Sequence, residues 1–168
     1  MLITALPGRN VETEAWLKSV LIAAKYPDAE VTRYRHWETN AEASVALEAS
    51  RLVNQSPQLV IAKSLGTIIA ATAFCLHEFR PTIAVLIGTP YISLKSNEVQ
   101  FLRRFAAGVD TLFIQQAQDP GGSADLLSAA LQLTRGKVIE VSGNDHLYSD
   151  TSVFASILGR LTKQYPAQ

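Results

Sequence analysis

Residues 58–79 read QLVIAKSLGTIIAATAFCLHEF, and two different hydrophobic patterns meet in this stretch. Its first five residues are mostly apolar and follow Pro57, which is typical of a short buried strand. In residues 65–79 the apolar positions recur at three- and four-residue spacing, which predicts a helix. A strand that passes into a helix across only Lys63 and Ser64 is the repeating unit of an α/β protein.

The same alternation of strand and helix extends along the chain on both sides of this stretch. Short apolar or β-branched runs predict six strands, at residues 2–6, 30–36, 58–62, 82–88, 111–117 and 137–142. Amphipathic segments predict six helices, at residues 11–25, 41–54, 65–79, 97–107, 123–134 and 151–164. The run IAVLI at 83–87 is apolar throughout, so we expect burial on both faces of a parallel sheet. Helices must then cover both sides, which predicts a three-layer α/β/α sandwich.

Length and composition favour one domain, which we expect to span residues 1–168. Lys and Arg together number 15, as do Asp and Glu, so nothing indicates nucleic acid or an anionic membrane as a partner. No apolar stretch has the length of a membrane span, and no signal-peptide pattern opens the chain, so we expect a cytoplasmic protein. The single Cys75 argues against a disulfide or a cysteine-rich metal cluster, and we expect neither a metal nor another cofactor.

Polar residues follow the predicted strands at the edge where parallel sheets bind their ligands. Ser64 follows the third strand, Asp119 the fifth and His146 the sixth. Because the carboxyl ends of parallel strands meet at one edge, we expect these three side chains to lie close together. A serine on a sharp strand-to-helix turn, with a base beside it, is the arrangement that makes its hydroxyl a nucleophile.

The order of Ser64, Asp119 and His146 along the chain resembles that of the α/β-hydrolase superfamily. Four segments carry the resemblance over nearly the whole chain: LPG at 6–8, AKSLG at 62–66, Asp119, and GNDH at 143–146. They are similar to the oxyanion loop, the nucleophile elbow, the acid loop and the histidine loop of that family. We therefore expect a six-stranded parallel sheet in the order 2-1-3-4-5-6.

The resemblance implies a catalytic triad at this edge. Ser64 would attack a carbonyl carbon, His146 would take its proton and pass it to the leaving group, and Asp119 would orient the imidazole. The backbone N–H groups of Arg9 and Leu65 would stabilise the negative charge that develops on the carbonyl oxygen.

Four further residues are expected to contact the substrate. Gly8 has no side chain, which lets the first loop approach the substrate closely. Lys63 is expected to be solvated and to bind an anionic group or tune the histidine. Trp37, placed after the second strand, and Tyr91 are expected to line the pocket; packing is an alternative for Trp37, and a short lid for Tyr91.

Three positions depart from the usual family pattern. Ala62 replaces the first glycine of the elbow, Lys63 precedes the nucleophile, and Pro7 stands where many relatives carry a histidine. The first predicted strand matches the third strand of the family, and the segment after the fourth strand is too short for a cap domain. The expected protein is a small, capless serine hydrolase with an open cleft.

Each candidate also has a simpler explanation. Ser64 could act as the N-cap of the helix that follows it, and His146 could be an exposed loop residue. Asp119 could serve only as a turn or capping acid, because Pro120-Gly121-Gly122 follow it. Asp125 and Asp145 are alternative acids, although Asp125 falls in a first helical turn and Asp145 adjoins the histidine, from which it is expected to point away.

These observations predict a serine hydrolase that cleaves a small ester or thioester through an acyl-enzyme intermediate. One alternative is a protein that retains the fold but binds a ligand or partner without turnover, since fold does not fix function. Another is an acyltransferase, in which an acceptor other than water takes the acyl group.

Overall fold

The computed structural model describes residues 2–39, 41–134 and 136–164. Its strands are β1 (Ile3–Leu6), β2 (Glu30–Val31), β3 (Leu59–Lys63), β4 (Ile83–Ile87), β5 (Asp110–Gln116) and β6 (Val138–Val141). Its α-helices are α1 (Glu12–Ala23), α2 (His36–Thr39), α3 (Val45–Ser50), α4 (Leu65–Leu76), α5 (Ser96–Gly108), α6 (Ala124–Leu131) and α7 (Thr151–Gln164). A 3₁₀ turn at Tyr91–Ser93 follows β4.

The strands form one six-stranded sheet, all parallel, in the order 2-1-3-4-5-6. This confirms the α/β class and the strand order predicted from the sequence. The parallel register brings Leu6, Ala62 and Leu86 side by side near the carboxyl ends of β1, β3 and β4. The loops that follow these strands therefore leave the sheet at a common edge.

Apolar side chains alternate between the two faces of the sheet, as the pleat of a strand requires. In β3, Ile61 packs in a cluster with the α1 residue Leu17 and the α7 residue Phe154. Its neighbour Val60 packs in a second cluster, which contains residues of α3, α4, α5 and α6. Both faces of the central strands are thus buried, which explains why their sequences are apolar at consecutive positions.

Two predicted elements are much shorter than the sequence indicated, while the helices predicted over 65–79 and 123–134 each end three residues early. The second strand was predicted over 30–36 but ends at Val31, because β1, the strand with which it pairs, ends at Leu6. The last backbone contact of this ladder runs from the Thr32 N–H to the Ala5 carbonyl oxygen, at 2.9 Å. The helix predicted over 41–54 forms only at Val45–Ser50, where the Ser44 hydroxyl caps it by accepting from the Leu47 N–H.

No helix in the part of the chain that the structure describes is long and apolar enough to cross a membrane.

Candidate active site

Ser64 lies at a sharp turn between β3 and α4, with backbone angles φ 49° and ψ −114°. Residues other than glycine rarely adopt a positive φ, so the backbone at Ser64 is strained. The turn is held by a hydrogen bond from the Ser64 N–H to the Ile87 carbonyl oxygen, at 2.8 Å. The Ser64 carbonyl oxygen accepts from both the N–H and the hydroxyl of Thr67. The Ser64 side chain forms no capping hydrogen bond with α4, so its interpretation as an N-cap is wrong.

Gly66 allows α4 to begin directly against the loop after β1. A Cβ atom at this position would lie 2.7 Å from the Pro7 carbonyl oxygen and closer still to that of Leu6. Gly8, in that same loop, faces the nucleophile, since a Cβ on it would lie 3.5 Å from the Ser64 Cβ. The first loop and the elbow are therefore in close contact. Ala62, which replaces the usual glycine of the elbow, is fully buried with its methyl group in the apolar cluster under α4.

His146 joins the predicted serine and acid in one chain of hydrogen bonds. Its Nε2 atom lies 2.9 Å from the Ser64 Oγ, and its Nδ1 atom lies 2.7 Å from Asp119 Oδ1 and 2.9 Å from Oδ2. A carboxylate only accepts hydrogen bonds, so the ring proton belongs on Nδ1 and Nε2 is left to accept from the serine hydroxyl. The structure thus brings all three predicted catalytic residues together.

Asp119 is buried and accepts hydrogen bonds from three different donors. Besides the His146 ring, the Tyr148 hydroxyl donates to Oδ2 at 2.6 Å and the Gly121 N–H donates to Oδ1 at 2.7 Å. Burial raises the pKa of Asp119, but the hydrogen bonds from His146, Tyr148 and Gly121 outweigh it, and the net pKa lies below its usual value. Asp119 therefore forms the predicted turn and also contacts the histidine as a carboxylate.

The alternative acids lie elsewhere. Asp145 is exposed, and its Oδ1 accepts from the Gln116 side-chain amide at 2.9 Å and from the Leu147 N–H at 2.9 Å. As expected, it points away from the His146 ring. Asp125 is an exposed residue in the first turn of α6. Neither geometry suits a partner of the imidazole.

Lys63 differs most from its prediction, because the expectation that it is solvated is wrong. Its side chain is only 3% exposed and shares the face of β3 that carries Ile61. Its Nζ atom donates to the His146 carbonyl oxygen at 2.8 Å and lies 4.6 Å from the centroid of the Tyr148 ring. Burial lowers the pKa of Lys63 to about 8, although the nearby carboxylates of Asp119 and Asp145 oppose this shift.

Arg9 and Leu65, the predicted oxyanion donors, lie on the two segments that meet at Gly66. Within the described part of the chain, neither backbone N–H donates to a protein acceptor. The Arg9 carbonyl oxygen accepts from the Trp37 Nε1 at 2.8 Å and contacts the His36 Nε2 at 2.8 Å. These contacts fix the first loop from the side of α2.

Trp37 and Tyr91 are both half-buried, and their positions differ from the expectation. Trp37 does not follow a strand but lies in α2, where its ring packs on that of Tyr34, with the centroids 4.9 Å apart. Tyr91 opens the 3₁₀ turn, beside the acid loop that contains Gly122. In the described residues, neither ring forms a hydrogen bond or ring contact with the triad side chains. Both residues border the first loop or the acid loop, and their contact with substrate stays a prediction.

Sequence reasoning missed two polar residues that support the triad, Gln116 and Tyr148. The Gln116 Oε1 accepts from the N–H groups of Asp145 and His146, at 3.1 and 3.0 Å, which fixes the histidine loop. The Tyr148 hydroxyl donates a hydrogen bond to the Oδ2 atom of Asp119. A signal for Gln116 was present, because two adjacent glutamines follow the apolar residues 112–114 at the end of β5. Nothing in the local sequence distinguishes Tyr148 from an ordinary loop tyrosine.

Nothing in the described part of the chain groups three or more His, Cys, Asp or Glu side chains so that they could hold a metal ion. Comparisons with protein-family models, with curated proteins and with solved structures found no match to this chain. Fold and site together define an α/β protein in which a serine, a histidine and an aspartate are hydrogen-bonded at the carboxyl edge of a parallel sheet.

Proposed function

We propose that this protein is a serine hydrolase that cleaves a small ester or thioester through an acyl-enzyme intermediate. One observation carries the proposal: Ser64 is held at φ 49° on a strand-to-helix turn with its Oγ 2.9 Å from the His146 Nε2. A strained turn is retained only where surrounding structure enforces it, and strain of this kind concentrates at functional sites. We assign the chain to a capless α/β-hydrolase architecture with helices in layers on both sides of the sheet.

The first half of the reaction forms the acyl-enzyme. The Ser64 Oγ attacks the substrate carbonyl carbon while its proton moves to the Nε2 of His146. Asp119 stabilises the resulting imidazolium through the contact to Nδ1, which is 2.7 Å long. The tetrahedral intermediate then collapses, and the leaving alcohol or thiol takes the proton from Nε2.

The second half releases the acyl group. Water donates a proton to Nε2 and attacks the acyl carbonyl carbon, and collapse of the second tetrahedral intermediate returns the proton to Ser64. In both halves negative charge develops on the carbonyl oxygen. The N–H groups of Arg9 and Leu65 are its proposed donors, since both lack a protein acceptor within the described residues. The N-terminus of α4, which begins at Leu65, adds a favourable partial positive charge.

A fluorophosphonate probe tests the nucleophile directly. We expect one covalent label per chain, located on Ser64 by peptide mass spectrometry and absent in Ser64→Ala. Ser50→Ala is the matched control, because it makes the same substitution at an exposed helical serine whose hydroxyl donates to the Leu47 carbonyl oxygen. A folded protein that resists the probe would instead support ligand binding without turnover.

Product analysis separates hydrolysis from acyl transfer. The protein is incubated with a panel of p-nitrophenyl esters and acyl thioesters, with and without competing alcohols or amines. Free acid as the main product throughout supports a hydrolase. A product ester or amide that dominates at low acceptor concentration would identify an acyltransferase with the same acyl-enzyme.

A further inference from the structure

Tyr148 is a buried phenol beneath the triad, and the reaction described above does not use it. Its side chain is 2% exposed. The backbone at Tyr148 has a φ of 60°, and its carbonyl oxygen accepts from the Trp16 Nε1 at 2.9 Å. Gly88 leaves room for the ring, since a Cβ at that position would lie 2.7 Å from the Tyr148 Cε2. The ring is therefore fixed from several sides at once.

The hydrogen bonds of this phenol have a defined direction. The hydroxyl oxygen accepts from the Gln116 backbone N–H at 2.8 Å, so its own proton is free to point elsewhere. That proton is donated to Asp119 Oδ2 at 2.6 Å, a short contact typical of a hydroxyl on a charged acceptor. Burial, and then the bond to Asp119, raise the pKa of Tyr148, so the phenol keeps its proton at neutral pH.

This contact restricts how Asp119 can face the histidine. The Gly121 N–H holds Oδ1 and the phenol holds Oδ2, so the plane of the carboxylate is fixed from both ends. In that orientation both oxygens lie within 2.9 Å of the His146 Nδ1. Without the phenol, only the Gly121 N–H would oppose rotation of the carboxylate. The carboxylate would then hold the imidazole less firmly in its orientation.

We propose that Tyr148 is a positioning residue, whose hydroxyl orients the Asp119 carboxylate toward His146. The proposal rests on the serine hydrolase function. Tyr148 itself contacts no reacting atom, so its effect must pass entirely through Asp119. A residue that only filled space would contribute to stability, but its effect on turnover would not depend on the presence of Asp119.

The test is a double-mutant cycle in the full-length protein. Tyr148→Phe removes one oxygen atom and should lower kcat about 10- to 100-fold with KM within about twofold, the range expected for losing a hydrogen bond to a charged group. In an Asp119→Ala background the same change should alter kcat by less than about threefold, because the group through which Tyr148 acts is gone. Tyr26→Phe, which removes the phenol oxygen of a half-buried tyrosine outside the triad, is the control and should retain wild-type kinetics.

Two results would overturn the proposal: wild-type kcat in Tyr148→Phe, or an equal loss of kcat in both backgrounds. If Tyr148→Phe does not fold, replacement of Tyr148 with 4-fluorophenylalanine fills the same volume without a donor and is measured in its place.

A readout independent of turnover is the titration of Asp119, followed by NMR of its ¹³C-labelled side-chain carboxyl. Loss of the phenol should raise the pKa of Asp119, and an unchanged pKa would contradict the proposed hydrogen bond. If the wild type neither turns over an ester nor reacts with fluorophosphonate, the hydrolase function fails, while this titration still decides whether the Tyr148 hydroxyl donates to the Asp119 carboxylate.

Discussion

Lys63 donates a hydrogen bond from its Nζ to the backbone carbonyl oxygen of His146, at 2.8 Å. The residue directly before the proposed nucleophile therefore anchors the loop of the proposed base, from a position 83 residues earlier in the chain. Its ammonium group also lies over the Tyr148 ring, at 4.6 Å from the centroid. The lysine that looks like a departure from the family pattern thus connects the elbow with the histidine loop.

The buried position of Lys63 predicts a rise of stability with pH. Its pKa is lowered from 10.5 to about 8 in the folded state, so between these values the unfolded chain binds more protons than the native protein. From pH 8 to 10 the free energy of unfolding of the wild type should therefore rise by about 2 kcal/mol relative to that of Lys63→Met. Urea titrations should show that Lys63→Met lacks this rise, whereas Lys25→Met, at an exposed lysine, retains it. Parallel pH profiles for Lys63→Met and wild type would show that Lys63 is not desolvated.

The strained backbone of Ser64 predicts that glycine is more stable than alanine at this position. Glycine adopts φ 49° without a Cβ clash. The free energy of unfolding of Ser64→Gly should therefore be about 1 kcal/mol higher than that of Ser64→Ala. Both variants should lose turnover. At Ser50, the last residue of α3, the order should reverse, because glycine weakens a helix. Denaturant unfolding of the four variants measures both differences, and the same order at both positions would argue against strain at the elbow.

The contacts of the two carboxylates predict which one is the acid of the triad. Asp119→Asn should lower kcat by about 10⁴-fold, because an amide facing Nδ1 favours the wrong tautomer of His146. Asp145→Asn should change kcat by less than about tenfold, since its Oδ1 contacts Gln116 and Leu147 and not the imidazole. Ester hydrolysis under saturating substrate tests both. A larger loss in Asp145→Asn would reverse the assignment.

The close approach of α4 to the first loop predicts that Gly66 tolerates no side chain. In Gly66→Ala the new methyl would meet the carbonyl oxygens of Leu6 and Pro7, so the backbone must move. This should lower the free energy of unfolding by about 2 kcal/mol. Gly159→Ala is the control, because a Cβ there meets none of the described atoms within 4 Å and alanine favours the helix α7. Thermal unfolding should show a lower Tm for the first variant and an equal or higher Tm for the second. Equal Tm values in the two variants would indicate that the first loop can withdraw from α4.

Local sequence determined most of the architecture. The consecutive apolar positions of β3 and β4 predict strands buried on both faces, and five of the six predicted strands lie within two residues of their observed bounds. The strand order 2-1-3-4-5-6 was implied by the resemblance to a known family rather than by local pattern. The strand-to-helix junction at Ser64, like the strands themselves, followed from the local sequence. These features depend on side-chain periodicity and turn chemistry, which act over a few residues. The placing of Ser64, Asp119 and His146 at one edge followed in turn, since all strands are parallel.

Tertiary structure decided what the side chains around that edge do. Glu30–Val31 is short because its neighbour β1 ends at Leu6, and a strand cannot extend beyond its hydrogen-bonding partner. Lys63 is buried because its partners, the His146 carbonyl and the Tyr148 ring, arrive from the other end of the chain. Tyr148 reaches Asp119 across 29 residues for the same reason. Periodicity along a chain describes which face of an element is buried, but only the packed fold determines which polar groups meet there.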